Sequence, residues 1–438
     1  MSVAQANPKS MSRLGLIFRS LRYRNFRLFF IGQGISLIGT WMQMIAGGWL
    51  AYELTAGESE RTRALWLGIV AFSGRIPAFV FAPFAGVLVD RWNRFRLVII
   101  TQVFAMFQAA LLATLTLTHT ITLGYLILLS LVLGLINALD VPGRQSFMIE
   151  MVDNREHLNN AIALNSSLVN SARIIGPAIA GILLKTTGAG FCFLLNAVSY
   201  IPVITALLAM KVKPVERKLA TDRIFSQLAA GVRYAFGFPP IRNMLLLLAL
   251  VSLSGASYTV LLPILAEHVL HRGSGLYALL FAAAGAGALA GALLLAMRES
   301  ARGLSLWIAA APAIFGIGLI ALGVSRFVWL SVLVMPVVGF GMLVQLASCN
   351  TVLQTLVDDS MRGRVMSLYS MAFMGMVPLG SLLSGFMARL VGSPVTLILN
   401  GAWCIVGSLL FFAQLKKFRR LIHPIYVEKG IIRTAPAD

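Results

Sequence analysis

The chain has 438 residues, of which 58% are hydrophobic and only 12% charged. Soluble globular proteins carry about a quarter charged residues, so this composition excludes an ordinary soluble domain and points to an integral membrane protein. The net charge of +20 would suit a nucleic-acid binder, but its placement along the chain excludes that class.

Apolar runs of about twenty residues recur, each long enough to cross a hydrocarbon core of about 30 Å as a helix. Barrel strands would alternate polar and apolar residues, and these runs do not. The expected fold is all-α, with twelve transmembrane helices in two six-helix halves. The spans are expected at 27–52, 64–89, 97–117, 121–141, 159–184, 188–210, 243–266, 275–297, 303–325, 327–348, 365–388 and 393–414. Residues 1–26 precede them as a basic N-terminus. There "MSRLGLIFRSLRYRN" sets Leu14, Ile17, Phe18 and Leu21 on one stripe, either an interfacial helix or a basic topogenic flank. The N-terminal half covers 27–210, a basic central loop 211–242, the C-terminal half 243–414, and a basic tail 415–438. A cleavable signal peptide is not expected. With the N-terminus in the cytoplasm, most Lys and Arg outside the spans fall on the same side, which places both termini there. The basic excess is thus a topology signal rather than a nucleic-acid footprint.

An internal echo relates the halves. "MVDNREHLNNAIALNSSLVNSARIIGPAIAGILL" follows the fourth span and "LVDDSMRGRVMSLYSMAFMGMVPLGSLLSGFM" the tenth. In register, Ala161 falls on Val365, Leu164 on Leu368, Ser166 on Ser370, Gly176 on Gly380 and Gly181 on Gly385. A duplicated six-helix unit is an alternating-access architecture, with a substrate site between the halves near the midplane.

Polar residues inside spans mark a candidate path. Arg75 and Arg173 lie near the centres of the second and fifth spans, where a charge is costly and usually functional. Ser166, Asn170, Arg173 and Pro177 share one helical face. Gln33, Ser36, Thr40 and Gln43 share a face of the first span, with Trp41 beside them. Asn137, Ser254, Tyr258, Gln345 and Tyr369 complete the candidate substrate cavity. No Asp or Glu sits at mid-span, so the cavity is expected to be positive or near neutral and to suit an anionic or catechol-rich solute. Alternatively Arg173 pairs with Asp140 and never meets substrate. Asp140 and Glu53, both at span ends, are the candidate proton-coupling groups. His119 and His157, in loops, read as solvated, and His268 lies at a span end. Cys192, Cys349 and Cys404 read as small core residues, and no metal site or cofactor is expected.

"GVLVDRWNRFRL" then carries a resemblance. Gly86, Leu88, Asp90, Arg91 and Arg94 match the loop between helices 2 and 3 of the major facilitator superfamily, with Asn93 where the pattern has a second glycine. Asn tolerates positive φ, so a turn built on it is expected to survive. "SARIIGPAIAG" resembles the superfamily's antiporter signature, with Gly176, Pro177 and Gly181 matching and Ser171 and Ala180 as small replacements. "RNFRLFFIGQGISLIGTWMQ", "DVPGRQSF", "NAIALNSS" and "CFLLNAVSY" are similar to the branch of siderophore exporters and transmembrane secretion effectors. The resemblance implies a gating role for Gly86, Asp90, Arg91 and Arg94. It also implies an antiporter seal at Ser171, Gly176, Pro177 and Gly181.

The expected function is secondary active export of an organic solute, siderophore-like or otherwise anionic, by proton antiport. The alternatives are multidrug efflux of lipophilic or cationic compounds and a lysophospholipid carrier. The sequence departs from multidrug antiporters in having Ser130 where they carry an Arg four residues before Gly134. An enzyme is not expected, because no nucleophile–base pair or phosphate loop is present and "GAGALAG" is a packing stripe with no strand before it. The expected partners are a small-molecule substrate and the lipid bilayer, with no nucleic acid. The expected setting is a monomer in a bacterial inner membrane.

Overall fold

In lipid a spanning segment must satisfy its own backbone, which leaves these apolar runs the α-helix. The computed structural model describes residues 18–152, 155–212, 224–298 and 300–431, with backbone only for 82–87, 90–91, 155–156, 159 and 224–228. Twelve of its helices are long and apolar enough to cross a membrane. They are α1 (Arg24–Leu54), α2 (Glu60–Arg91), α3 (Arg94–Leu117), α4 (Leu123–Glu150), α5 (Arg155–Thr186) and α6 (Ala189–Leu208). After the linker helix Ile224–Gly237 come α7 (Pro239–Val269) and α8 (Gly273–Ala296). The set ends with α9 (Leu304–Val324), α10 (Val328–Leu356), α11 (Asp359–Val391) and α12 (Ser393–Ala413), followed by a tail helix Leu415–Glu428.

The two halves repeat each other. Within the first, α1 packs on α5 and α6, α2 on α4, and α3 on α4 and α6. Each pairing recurs six helices on, as α7 with α11 and α12, α8 with α10, and α9 with α10 and α12. The halves meet along α2 with α11 and α5 with α8. The echo in the sequence marks these contacts. A Cβ on Gly176 would stand 2.5 Å from Trp41 Cβ of α1, and one on Gly380 would run into Leu253 O of α7. A Cβ on Gly181 would stand 2.7 Å from Ala278 Cβ of α8, and one on Gly385 2.7 Å from Ala64 O of α2. Glycine is thus needed at matched places, first inside each half and then between them.

Several elements depart from the sequence reading. The segment "GVLVDR" is the last part of α2, not a loop, and only Trp92 and Asn93 join it to α3. Asn93 has φ −68°, so it does not supply a left-handed turn; it caps α3, its side chain accepting from Arg96 N at 3.2 Å. A span that ends in charges can keep its helix past the apolar run, because the backbone bonds do not depend on the side chains. α7 is interrupted at Gly255–Ser257, and both α7 and α11 carry a π-helical turn, at Leu265–Val269 and Met371–Gly375. Leu14 and Ile17 of the proposed N-terminal stripe lie outside the described residues. Phe18 and Leu21 flank or join a short 3-10 turn, Arg19–Arg22. That turn is docked on α5, with Ser20 N donating to Asn160 Oδ1 at 3.1 Å and Ser20 Oγ to His157 O at 2.8 Å. His157 is therefore held rather than loosely solvated, and Tyr23 Oη lies 2.8 Å from its Nδ1.

The linker helix packs on the start of α11, where Tyr234 Oη donates to Asp358 Oδ2 at 3.0 Å. The tail helix buries Leu415, Phe418, Ile422 and Tyr426 and turns its basic residues outward. Cys192, Cys349 and Cys404 are buried and unpaired, as expected for core residues. Twelve crossings put the start of α1 and the tail helix on one face, here called the terminal face; the opposite one is the distal face.

Candidate functional site

The two halves meet through α1, α2 and α5 on one side and α7, α8 and α11 on the other. On α1 the half-buried stripe Thr40, Trp41, Met44, Gly47 and Gly48 is distinct from the Gln33, Ser36 and Gln43 face. Gln33, Ser36 and Gln43 are buried inside the N-terminal half. Gln43 Nε2 donates to Gln108 Oε1 of α3 at 3.1 Å, and Asn196 Nδ2 of α6 donates to Gln43 Oε1 at 2.6 Å. This polar face is internal glue. The residue that reaches the path is Trp41, and Thr40 beside it bonds its own helix at Ser36 O.

Arg173 sits over Trp41, its guanidinium carbon 5.2 Å from the ring centroid. Its stem is accommodated by Gly285 of α8, where a Cβ would lie 3.6 Å from Arg173 Cγ. Tyr258, at the restart of α7 after its break, is buried and packs edge-on against Phe315. Arg75 on α2 is half-buried, and Tyr277 on α8 is buried. Neither arginine is within hydrogen-bond or ion-pair range of any described residue, and Arg75 Nη1 and Arg173 Nε are shielded from solvent with no partner.

Asp140 does not pair with Arg173. Arg144 Nε, one turn on in α4, lies 2.7 Å from Asp140 Oδ2, while Thr101 Oγ1 and Gln102 Nε2 of α3 each donate to Oδ1 at 2.8 Å. The "DVPGR" spacing of four held the signal for this pair. Ser166 is exposed and Asn170 bonds back to Ser166 O. Pro177 is buried with Gly176 and Gly181, whereas Ser171 lies on the exposed stripe of Ile175, Ile179 and Ile182. The close-packed part of the antiporter signature is therefore Gly176 to Gly181, and Ser171 stands outside it. Ser254 is turned toward Cys404 of α12, and Gln345 bonds Cys349 within α10, so both face bundle interiors. Tyr369 Oη bonds Leu346 O of α10, tying α11 to α10. Asn137 is half-buried on α4.

Gly86, Asp90 and Arg91 lie outside the described side chains. Arg94, the remaining member of that set, pairs with Glu150 at 3.1 Å, fastening the start of α3 to the end of α4.

Sequence reasoning missed the closure at the distal face. Tyr52 Oη lies 3.0 Å from His268 Nε2 across the two halves, and Arg63 Nη1 lies 3.3 Å from the same nitrogen. The Arg63 guanidinium covers the Tyr52 ring at 5.0 Å. Trp49 stacks on Tyr277 with centroids 6.1 Å apart and donates to Glu53 Oε1 at 2.6 Å. Glu53 thus orients an aromatic gate, and His268 is part of it. The aromatic run Trp49–Tyr52 near a span end was the available signal.

The comparisons agree with this geometry. The family described as transmembrane secretion effector matches residues 17–422. The chain is 27% identical over 396 residues to the staphyloferrin A transporter of Staphylococcus aureus, spanning 90% of this chain and 97% of the relative. It is 25% identical to the enterobactin exporter EntS of Citrobacter koseri, over 92% of this chain and 95% of that one. It is 22% identical to the multidrug efflux pump Tap of Mycolicibacterium fortuitum, over 82% and 88%. In fold it is similar to a bacterial homologue of the lysosomal transporter Spinster in an inward-facing, unoccupied conformation, with a TM-score of 0.67, 14% identity and 95% and 99% coverage. Twelve spanning helices in two repeated halves go with a family match over nearly the whole chain: the protein belongs to the transmembrane secretion effector family of major facilitator transporters, and it is a multi-pass membrane carrier, not an enzyme.

Proposed function

We propose that this protein exports an organic anion of siderophore type by alternating access, in exchange for protons. The observation that carries the reading is the pair of unpartnered guanidiniums, Arg75 and Arg173, on helices that bound the path between the halves. A desolvated cation with no protein counter-charge favours an anionic cargo and disfavours a cationic one. Two relatives named for siderophores, matched over nearly their full length, support the same class.

The basic terminal face is cytoplasmic in this reading, by the positive-inside asymmetry, and the membrane is a bacterial inner membrane. The carrier acts as a monomer. With the distal face closed by Tyr52, Arg63 and His268, the anion enters from the cytoplasm. Gly86, Asp90, Arg91 and Arg94 belong to the terminal-face latch that closes when the distal gate opens, and the Gly176–Gly181 packing limits leak. Of the two acidic candidates for proton coupling, Glu53 is favoured: it is exposed and, among the described residues, its carboxylate is held by Trp49 alone. Asp140 is held by two hydrogen-bond donors and an ion pair with Arg144.

The test is solute flux in proteoliposomes under an imposed pH gradient, comparing an anionic siderophore with a lipophilic cation. Gradient-driven movement of the anion alone, lost on Glu53→Gln, is expected. Movement of the cation, indifferent to Arg173→Gln, would replace this reading with multidrug efflux.

A further inference from the structure

A dense group of unpartnered charges lies at the foot of the C-terminal half. The tail helix Leu415–Glu428 runs across the ends of α7, α9, α10 and α12. Its apolar side, Leu415, Phe418, Ile422 and Tyr426, is buried. Arg419 Nε donates to Ser305 Oγ at the start of α9 at 3.2 Å, and Lys429 Nζ to Thr355 O near the end of α10 at 2.8 Å. Beside the apolar side, Lys416, Arg419 and Arg420 form a basic stripe at helical spacing, flanked by Lys417, and all four are exposed. Arg298 and Arg302, also exposed, stand in the turn just before Ser305. None of these six is in ion-pair range of a carboxylate among the described residues. The nearby acids of this face are engaged elsewhere, Asp358 with Tyr234 and Asp359 with Arg362. Like charges three and four residues apart repel within a helix, so the stripe works against its own helix unless an anion lies on it.

Depth decides what that anion is. The last turns of α12 present Leu409, Leu410 and Phe412 as exposed apolar side chains, and the first turn of α9 presents Leu306. On spanning helices these meet acyl chains. Only Gln414 separates α12 from the tail helix, so Lys416 lies within about 11 Å of the end of a spanning helix. That is headgroup depth, a layer that adds about 5–8 Å to each side of the hydrocarbon core. An acidic protein or a nucleic acid would need a face turned to bulk water, whereas this stripe starts at the rim of a lipid-facing surface. We infer that the foot of α9 and α12 binds an anionic phospholipid. Its acyl chains lie along the exposed apolar side chains of the two helices, and its phosphate is held by the tail-helix stripe together with Arg298 and Arg302. The lipid supplies the counter-charge the chain lacks and fastens the tail helix under the helix ends it covers. Each Lys or Arg near an anionic surface contributes about fivefold in affinity, and a phosphate fixed by guanidinium forks adds charge-assisted bonds. The site is separate from the path between the halves and does not depend on the cargo.

The experiment uses the full-length protein purified in a neutral detergent, with the affinity for the first bound lipid read by native mass spectrometry. The probes are phosphatidylglycerol, phosphatidylcholine with the same acyl chains, inorganic phosphate and an oligoglutamate peptide. Phosphatidylglycerol is expected to bind about tenfold or more tightly than phosphatidylcholine, and neither soluble anion should displace it. Joint replacement Lys416→Gln, Lys417→Gln, Arg419→Gln and Arg420→Gln should remove that preference and leave phosphatidylcholine binding little changed. Arg419→Lys with Arg420→Lys should keep it within a few-fold. A positional control neutralises four exposed basic residues elsewhere on the terminal face, Arg24, Lys211, Arg233 and Arg242, and should cost less than about threefold, because diffuse attraction is screened within a Debye length. The four tail side chains are exposed, so their joint replacement should leave the melting temperature in lipid-free detergent within a few degrees of the parent. If that variant does not fold, Lys416→Gln and Arg420→Gln made singly carry the same test, each costing about fivefold. Equal affinity for the two lipids, or an unchanged preference in the neutralised variants, would overturn the inference. A control set that weakens binding as much as the tail set would reduce it to diffuse attraction between a basic face and lipid. Displacement of the lipid by phosphate or oligoglutamate would assign the stripe to a soluble anion instead.

Discussion

Asp140→Asn separates a structural carboxylate from a proton-carrying one. Asp140 is 4% exposed in its side chain and Arg144 22%. Arg144 Nε lies 2.7 Å from Asp140 Oδ2 as an ion pair, while Thr101 Oγ1 and Gln102 Nε2 donate to Oδ1 at 2.8 Å. An asparagine must turn its NH2 either toward Arg144 or toward Thr101 and Gln102, so one donor-to-donor contact is unavoidable in both rotamers. Breaking a buried ion pair by removing one partner costs about 3–5 kcal/mol. Since Arg144 can still reach water, the lower end applies, about 3 kcal/mol. The assay is equilibrium unfolding of the purified protein, backed by thermal denaturation. Asp140→Asn should lose that stability, and Asp140→Asn combined with Arg144→Met should recover much of it, because no guanidinium is then stranded. An Asp140→Asn protein as stable as the parent but without gradient-driven flux would refute this reasoning and return Asp140 to proton transfer.

The distal gate should loosen when the nitrogen its members share is removed. Tyr52 Oη and Arg63 Nη1 lie 3.0 and 3.3 Å from His268 Nε2 across the two halves. Labels at Gly57→Cys and Arg272→Cys should stand farther apart in His268→Ala than in the parent. An unchanged separation would argue that these contacts do not hold the face closed. Gly181→Val and Gly385→Val should each push the halves apart by overpacking worth about 1–3 kcal/mol. Reduced flux with increased labelling of distal-face cysteines would register this, and unchanged flux would argue against a tight distal contact. Gln43→Leu strands Gln108 and Asn196 and should cost about 1–3 kcal/mol of stability. The ranking of transported solutes should stay the same, as flux competition would record; a changed ranking would return Gln43 to the cavity.

Membrane class, the number of spans, the two halves and their repeat were all legible in the sequence. Apolar length and small-residue spacing are local properties, and the bilayer admits only one way to satisfy such a backbone. Arg75 and Arg173 stood out for the same reason, since a charge in an apolar run is visible without knowing its neighbours. The repeat even aligned Gly181 with Gly385, and these prove to be equivalent contacts between the halves. What lay beyond the sequence was which neighbour each face meets. Periodicity defined the polar stripe of α1, but only packing on α3 and α6 showed that Gln43 is internal and Trp41 lies on the path. The "GVLVDR" charges read as a loop because hydropathy ends there, although the helix does not. Tyr52 and His268 are 216 residues apart, and nothing local in either segment specifies the other. Helix length and period are set by each segment's own free energy in lipid; a gate between halves exists only once both are folded and docked, so its members are decided by the tertiary structure.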